Sequence, residues 1–318
     1  MADVFRVLAQ IGTTITVLLV LAALLIWAER RLLGLWQDRL GPNRVGPFGI
    51  LQSVADMIKI FFKEDWVPPF AEKPVFIFAP CVVVITMLMA LAVVPFTPTL
   101  AIVDLNVGLL FFLAMSALAA YSTILAGWSS NNKYSLLGGM RSAAQMISYD
   151  VFMGLSLMGV VMLAGSFNLR EIVLAQQGLW YIVPQFLGFL VFLVAGLAES
   201  HRLPFDLPEA EHEIIAGFHT EYSGMKFGLF FVGEYLGVLL IAAITVILFL
   251  GGWQGPWLPP FVWFVLKTAL LVAFIILLRA ALPRPRFDQL MSIGWKLMLP
   301  LALLNLMITG AVALAGGL

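Results

Sequence analysis

The sequence predicts an all-α integral membrane protein with eight transmembrane helices and one amphipathic helix lying at the cytoplasmic interface. Three observations carry that reading. Of 318 residues, 62% are hydrophobic and only 11% are charged, with mean hydropathy +1.01; a soluble domain has about 45–50% and about 25%. Eight apolar runs are each close to 20 residues long, enough to cross a bilayer as helices. Fifteen of the 18 Lys and Arg residues fall in alternate connections between those runs. The apolar excess is more than a soluble core can hold, which excludes a soluble enzyme, a nucleic-acid binder and a disordered chain.

The runs are 7–28, 75–94, 105–128, 142–165, 179–198, 227–250, 258–278 and 297–317. The first is longer than a signal-peptide core and runs straight into Glu29-Arg30-Arg31, so it reads as a retained span. Between the first two runs, Leu51, Val54, Ala55, Ile58, Phe61 and Phe62 recur at helical spacing, with Gln52, Asp56, Lys59 and Lys63 on the other face. That pattern predicts an amphipathic helix over about 48–63, suited to the headgroup plane. It reads either as a collar packing the spans or as a rim for a lipophilic ligand or partner. The segment 41–47, GPNRVGP, is dense in turn formers. Pro80, Pro184 and Pro300 fall in or at spans, where kinks are tolerated if neighbours satisfy the freed carbonyls. In the sixth run Gly224, Gly228, Gly233 and Gly237 form two G-x-x-x-G pairs, which allow a neighbouring helix close to Glu234. The whole chain, 1–318, reads as one polytopic domain.

Eight spans place both termini on one side. The odd-numbered connections carry the basic residues, while the termini and even connections carry only Arg6 and Arg170. The positive-inside rule then puts the odd connections in the cytoplasm and both termini outside.

The rare residues limit the chemistry. A single cysteine, Cys81, rules out an internal disulfide and an iron–sulfur cluster held by this chain alone. His201, His212 and His219 all lie in one polar stretch rather than on spans, and their spacing with the carboxylates does not support a metal site. No phosphate-binding glycine motif is present. Electron chemistry therefore belongs to a partner.

The connection 199–226 is the most unusual segment. Glu199, Asp206, Glu209, Glu211, Glu213 and Glu221 are six of the chain's 18 carboxylates, offset within the connection by Arg202 and Lys226. A charge run is ordinarily a solvated face, but this one is interleaved with Leu203, Phe205, Leu207, Ile214, Ile215 and Phe218, as a folded, partly buried loop would be. Close carboxylates raise one another's pKa and can hold and pass protons near neutral pH. Asp150, Glu234 and Lys267 lie within spans, where a charge costs roughly 2.5–3.5 kcal/mol on insertion scales. They read either as internal ion pairs bracing helices or as a polar path from the acidic loop into the membrane.

Five blocks stand in order along the chain: AERRLLGLWQDRLGPNRVGPFGILQSVADMIKIFFKED at 28–65, GWSSNNKYSLLGGMRSAAQMISYD at 127–150, HRLPFDLPEAEHE at 201–213, EYSGMKFGLFFVGEY at 221–235 and RAALPRPRFDQLMSIGWK at 279–296. In these blocks the chain resembles the NuoH family, the first membrane subunits of bacterial proton-pumping NADH:quinone oxidoreductase, respiratory complex I. The resemblance implies a protein without a redox centre that joins a hydrophilic arm to a membrane arm. It implies ubiquinone or menaquinone as a substrate shared with iron–sulfur and quinone-site subunits on the cytoplasmic side. Small membrane subunits, antiporter-like subunits and lipids would be its membrane neighbours. The first span, the amphipathic helix and the sixth span would frame the opening for the quinone tail. Candidate quinone-chamber residues are then Glu29, Arg30, Arg202, Phe205, Phe227 and Arg279. Candidate relay residues are Glu199, Asp206, Glu209, Glu211, Glu213, Glu221, Asp150, Glu234 and Lys267. The chain departs from the family pattern twice: Asp150 stands where S-Y-E carries Glu, and Glu199-Ser200-His201-Arg202 stands for E-T-N-R. The rival readings are the membrane subunit of an energy-converting hydrogenase, a stand-alone cation/proton antiporter, and a passive anchor whose charges only brace helices.

Overall fold

The computed structural model describes residues 2–208, 213 and 215–315, and among these every regular element is helical. Glu209, Glu211 and His212 of the acidic connection lie outside the described residues, as does the end of the eighth apolar run. Helix α1 (Ala2–Trp36) carries the first apolar run and the Glu29-Arg30-Arg31 block in one piece. A tight turn at Pro47–Gly49 leads into α2 (Gln52–Phe62), the amphipathic helix, four residues shorter at its start than its apolar periodicity implied. Next come α3 (Lys73–Ala92), α4 (Gly108–Ser129), α5 (Lys133–Ala164) and the short α6 (Leu169–Ala175), whose first turn is capped by the Asn168 side chain. The chain continues with α7 (Phe186–Glu199), α8 (Gly224–Phe249), α9 (Pro260–Ala281) and α10 (Phe287–Leu314), the last with a π-helical turn at Gly294–Met298.

Seven of these helices are long and apolar enough to cross a membrane. The fifth predicted span differs: α7 has 14 residues, a rise of about 21 Å against a hydrocarbon core of about 30 Å. Pro184 explains the shortening, because proline in a helix interior removes a hydrogen bond and clashes with the preceding turn. The residues before it turn instead, and the Ile182 N–H donates to the Phe249 carbonyl at 2.9 Å, docking that turn on the end of α8.

Helix α8 is the hub. It packs against α1, α2, α3, α7 and α9, and 78% of its most apolar stretch is buried, against 11% for α1. Between helices in lipid there is little hydrophobic gain from association, so close packing and hydrogen bonds must hold the bundle. Gly233 shows how: a Cβ there would lie 2.8 Å from both γ-methyls of Val83 on α3. On the other flank Gly139 of α5 lets α4 approach until a Cβ would sit 2.7 Å from the Thr123 carbonyl. Helix α5 then fastens the chain after α7: the Gln145 side chain donates to the Ala198 and Phe205 carbonyls, both at 2.8 Å. Its Tyr149 hydroxyl donates to the Leu290 carbonyl at 3.1 Å, tying α10 to the same face.

Candidate functional site

Two cavities meet at one ion pair. The first lies among α1, α8 and α9 and is lined by Leu25, Val238, Val272, Ile275 and Ile276 on its apolar side and by Glu29, Arg202, Tyr235 and Arg279 on its polar side. Glu29 is 4% exposed on α1 and Arg202, just after α7, is 7% exposed. Arg202 Nη1 is 3.2 Å from Glu29 Oε2, and its Nε is 2.7 Å from Glu234 Oε1 on α8. Its guanidinium carbon lies 4.1 Å from the centre of the Tyr235 ring, in cation–π contact. Arg279, in the last turn of α9, forms a second ion pair with Glu29. Burial works against the Arg202 charge, but Glu234 and Glu29 more than offset it and hold its pKa above the usual arginine value.

The second cavity lies at the Glu234 side of the Arg202–Glu234 pair. Glu199, Ser200, His201, His219 and Glu234 line it, with Phe218, Phe227, Phe230 and Phe231 as an aromatic wall. Glu234 thus faces this cavity while its partner Arg202 faces the first. Both carboxylate oxygens of Glu199 are buried and have no hydrogen-bond partner among the described residues. Asp150, on α5, accepts a hydrogen bond from the Ser116 hydroxyl at 3.1 Å, and its charge acts on Glu199. His201 Nε2 is 2.9 Å from the Ser142 hydroxyl. Burial pushes the pKa of His201 and of His219 down to about 4, which keeps both rings neutral at pH 7.

The remaining predicted residues are placed elsewhere. Glu213 pairs with Arg141 of α5 at 2.5 Å, and Glu221 accepts from the Asn132 amide at 2.7 Å, so both join the acidic connection to α5 and its N-cap. Arg284 donates to the backbone carbonyl of Asp206. Arg30 faces away from the first cavity and pairs with Asp56 of α2 at 2.7 Å. Partial burial opposes the Asp56 carboxylate, but the Gln52 amide and Arg30 outweigh it and lower its pKa. Phe205 packs beside Tyr149 rather than in either cavity, with ring centres 6.2 Å apart. Phe227 stands in the second cavity, between His219 and Phe231. Lys267 meets no carboxylate among the described residues: its ammonium donates to the carbonyls of Leu250, Gly252 and Gln254.

The chain matches the NADH dehydrogenase family over residues 9–310. It is 68% identical over 297 residues, 93% of this chain and 94% of the relative, to a protein of Methylococcus capsulatus (strain ATCC 33009 / NCIMB 11132 / Bath) named as the H subunit of NADH-quinone oxidoreductase. This chain belongs to the NADH dehydrogenase family.

One departure from the family pattern has a backbone explanation. His201 adopts a left-handed φ of 50°, a conformation enriched several-fold in Asn and His among residues other than glycine. The usual Asn of E-T-N-R and the His found here both suit that turn. Residues outside the predicted set complete the site. Tyr235 lies under Arg202, Ser116 meets Asp150, Ser142 meets His201, and Arg141 meets Glu213. The sequence signal for Tyr235 was its place beside Glu234 in the EYSGMKFGLFFVGEY block, and Arg141 and Ser142 likewise fall in the block at 127–150; Ser116 lies outside every block.

Proposed function

We propose that this chain is the membrane subunit of a proton-translocating NADH:quinone oxidoreductase that walls the membrane side of the quinone chamber. In this reading it passes the charge change of quinone reduction to its intramembrane carboxylates. The observation that carries the reading is Arg202, whose single guanidinium serves Glu29 beside one cavity and Glu234 at the wall of the next. Partner subunits supply the electrons, and the quinone gains two electrons and two protons. The lining of the first cavity, apolar along α1 and α9 and ionic at Glu29 and Arg279, matches in chemistry an isoprenoid chain with a polar head. A negative charge arriving there draws Arg202 toward it and away from Glu234. The Glu234 carboxylate, losing its counter-charge in a buried place, then takes a proton from the second cavity, where Glu199 stands next in line with Asp150 beyond it. Return of Arg202 releases that proton. The two arrangements of Arg202 form the bistable element that coupling requires.

In this reading the docked turn before α7 completes the crossing that the helix alone is too short to make, so the odd-numbered connections face the cytoplasm and both termini the periplasm. The acidic connection, including Asp206, Glu209, Glu211, Glu213 and Glu221, lies against the iron–sulfur and quinone-site partners. The antiporter-like subunits lie on the membrane side. The relative's name specifies quinone, which favours this reading over a hydrogenase subunit or a lone antiporter. The test is photo-crosslinking of membranes holding the whole assembly, using a quinone analogue with a reactive tail and native quinone as competitor. Competed labelling of α1, α2, α8 or α9 is expected. Labelling confined to other subunits would remove the quinone chamber from this chain.

A further inference from the structure

We propose that Lys267 is a tethered ammonium ion that locks the far end of α8, a positioning residue rather than a proton carrier. Its Nζ lies 2.6 Å from the Leu250 carbonyl, 3.1 Å from that of Gly252 and 2.7 Å from that of Gln254. Lys267 is 7% exposed, and its ammonium sits 4.2 Å from the centre of the Trp180 ring and 5.7 Å from that of Trp263. An ammonium has three N–H donors and no acceptor, so the three carbonyls use all it has.

The cup is built for a cation. Leu250 caps the C-terminus of α8, where unpaired carbonyls and the helix dipole place partial negative charge. Gly251 and Gly252 take left-handed φ values of 69° and 54°. The chain doubles back there, so that carbonyls beyond the helix end converge on the same point. The turn is itself held from α6: the Gly251 N–H donates to Gln176 Oε1 at 3.0 Å, and the Gln254 amide donates to the Val173 carbonyl. Two indole faces close the cup and contribute cation–π attraction. The lysine arrives from α9, so one side chain joins α9 to the end of α8 and to the turn that α6 holds.

This geometry separates Lys267 from Asp150 and Glu234. Passing a proton would require the amine to lose one N–H, leaving a buried carbonyl unpaired, and among the described residues no carboxylate stands in contact to receive it. With the side chain removed, the cup is a site for a free primary ammonium ion.

The test uses the detergent-purified whole assembly, in which no proton gradient exists for amines to disturb. Lys267→Ala and Lys267→Met are expected to shorten the half-life of quinone reductase activity at a fixed elevated temperature by about tenfold or more, through loss of three charge-assisted hydrogen bonds. n-Propylammonium should lengthen the half-life of the Ala variant, whereas tetramethylammonium, without N–H donors, should not. Lys267→Gln, which offers two N–H donors to the same carbonyls, should fall between Met and wild type. If the variants assemble poorly, the amount of chain in the intact assembly is expected in the same order, Gln above Met. The proposal is overturned if Gln fares no better than Met, or if n-propylammonium acts no better than tetramethylammonium. A Met variant with wild-type half-life also overturns it, and if that variant, reconstituted into sealed vesicles, moves fewer protons per electron, Lys267 returns to the relay.

Discussion

Replacing Arg202 with Met keeps most of the side-chain volume and removes the charge, which isolates the contribution of the shared guanidinium. Glu29 retains Arg279, so the residue orphaned is Glu234. The ion pair that the substitution breaks spans 2.7 Å between side chains 8% and 13% exposed, an attraction of about 6 kcal/mol at an effective dielectric of ~20. Most of that attraction offsets the cost of removing both charges from water, so the sign of the effect depends on which partner is left behind. Breaking one side of a buried pair costs about 3–5 kcal/mol, whereas replacing both sides with neutral groups is often close to neutral. Arg202→Met should therefore destabilise by about 3–5 kcal/mol, and adding Glu234→Gln should restore about 2 kcal/mol or more. Arg202→Lys should fall between, because a single ammonium cannot meet two carboxylates with a planar fork. The assay is the amount of intact assembly on native gels together with the thermal midpoint of the purified assembly, for all corners of the Arg202/Glu234 cycle. If the double variant is no more stable than the single Arg202→Met, the two side chains are not coupled, and the transfer of charge from one cavity to the other loses its physical basis.

Four further outcomes follow from the same geometry. Asp150→Asn keeps an acceptor for the Ser116 hydroxyl but cannot ionise, so the assembly should form while protons moved per electron in vesicles fall sharply; wild-type stoichiometry would remove Asp150 from the relay. Burial holds His201 and His219 near pKa 4, below the ordinary 6.5, so the unfolded chain binds their protons first. Their contribution is full above pH about 6.5 and is lost as pH falls toward 4, up to ~3 kcal/mol each; His201→Asn should flatten the fall of the thermal midpoint between pH 7 and 4.5, and an unchanged slope would count against a buried neutral ring. Gly233→Ala places a methyl 2.8 Å from both γ-methyls of Val83, which should cost about 1–3 kcal/mol, and Val83→Ala in the same chain should recover most of it in the same melting assay. Glu213→Gln loses a pair whose side chains are 31% and 40% exposed, so the midpoint should move by no more than about 1 kcal/mol of stability.

The sequence made the spans legible because lipid imposes a length and a composition on any helix that crosses it. The exception, α7, was also visible, in Pro184, but an apolar run counts residues and says nothing about where the backbone stops being helical. The amphipathic face of α2 and the five chemistry-bearing blocks were legible for the same reason as the spans: each is local. Partner choice was not. Within the connection 199–226 the bases Arg202 and Lys226 looked like the counter-charges of its acids. Instead, Arg202 leaves the connection for Glu29 and Glu234, Lys226 pairs with Asp65 at 2.6 Å, and Glu213 is met by Arg141 from α5. Glu29 and Arg279 are 250 positions apart, a separation that only the packing of α1 against α9 closes.

The three ionisable residues within the spans show what a charge in an apolar run does and does not reveal. Each one requires polar partners, because the membrane supplies none. Asp150 found a serine hydroxyl, Glu234 a guanidinium, and Lys267 three backbone carbonyls. A side-chain partner has a letter in the sequence and can itself change protonation or swing away, so Glu234 and its arginine can work as a moving part. A carbonyl has no letter, cannot ionise, and stays where the backbone puts it. Only the Gly251-Gly252 pair hinted that the chain bends there to gather such oxygens. In the two proposals made above, the same signal, one charge in a greasy helix, therefore stands for a switch at Glu234 and a fixed clasp at Lys267, and the difference lies in whether the partner is free to move.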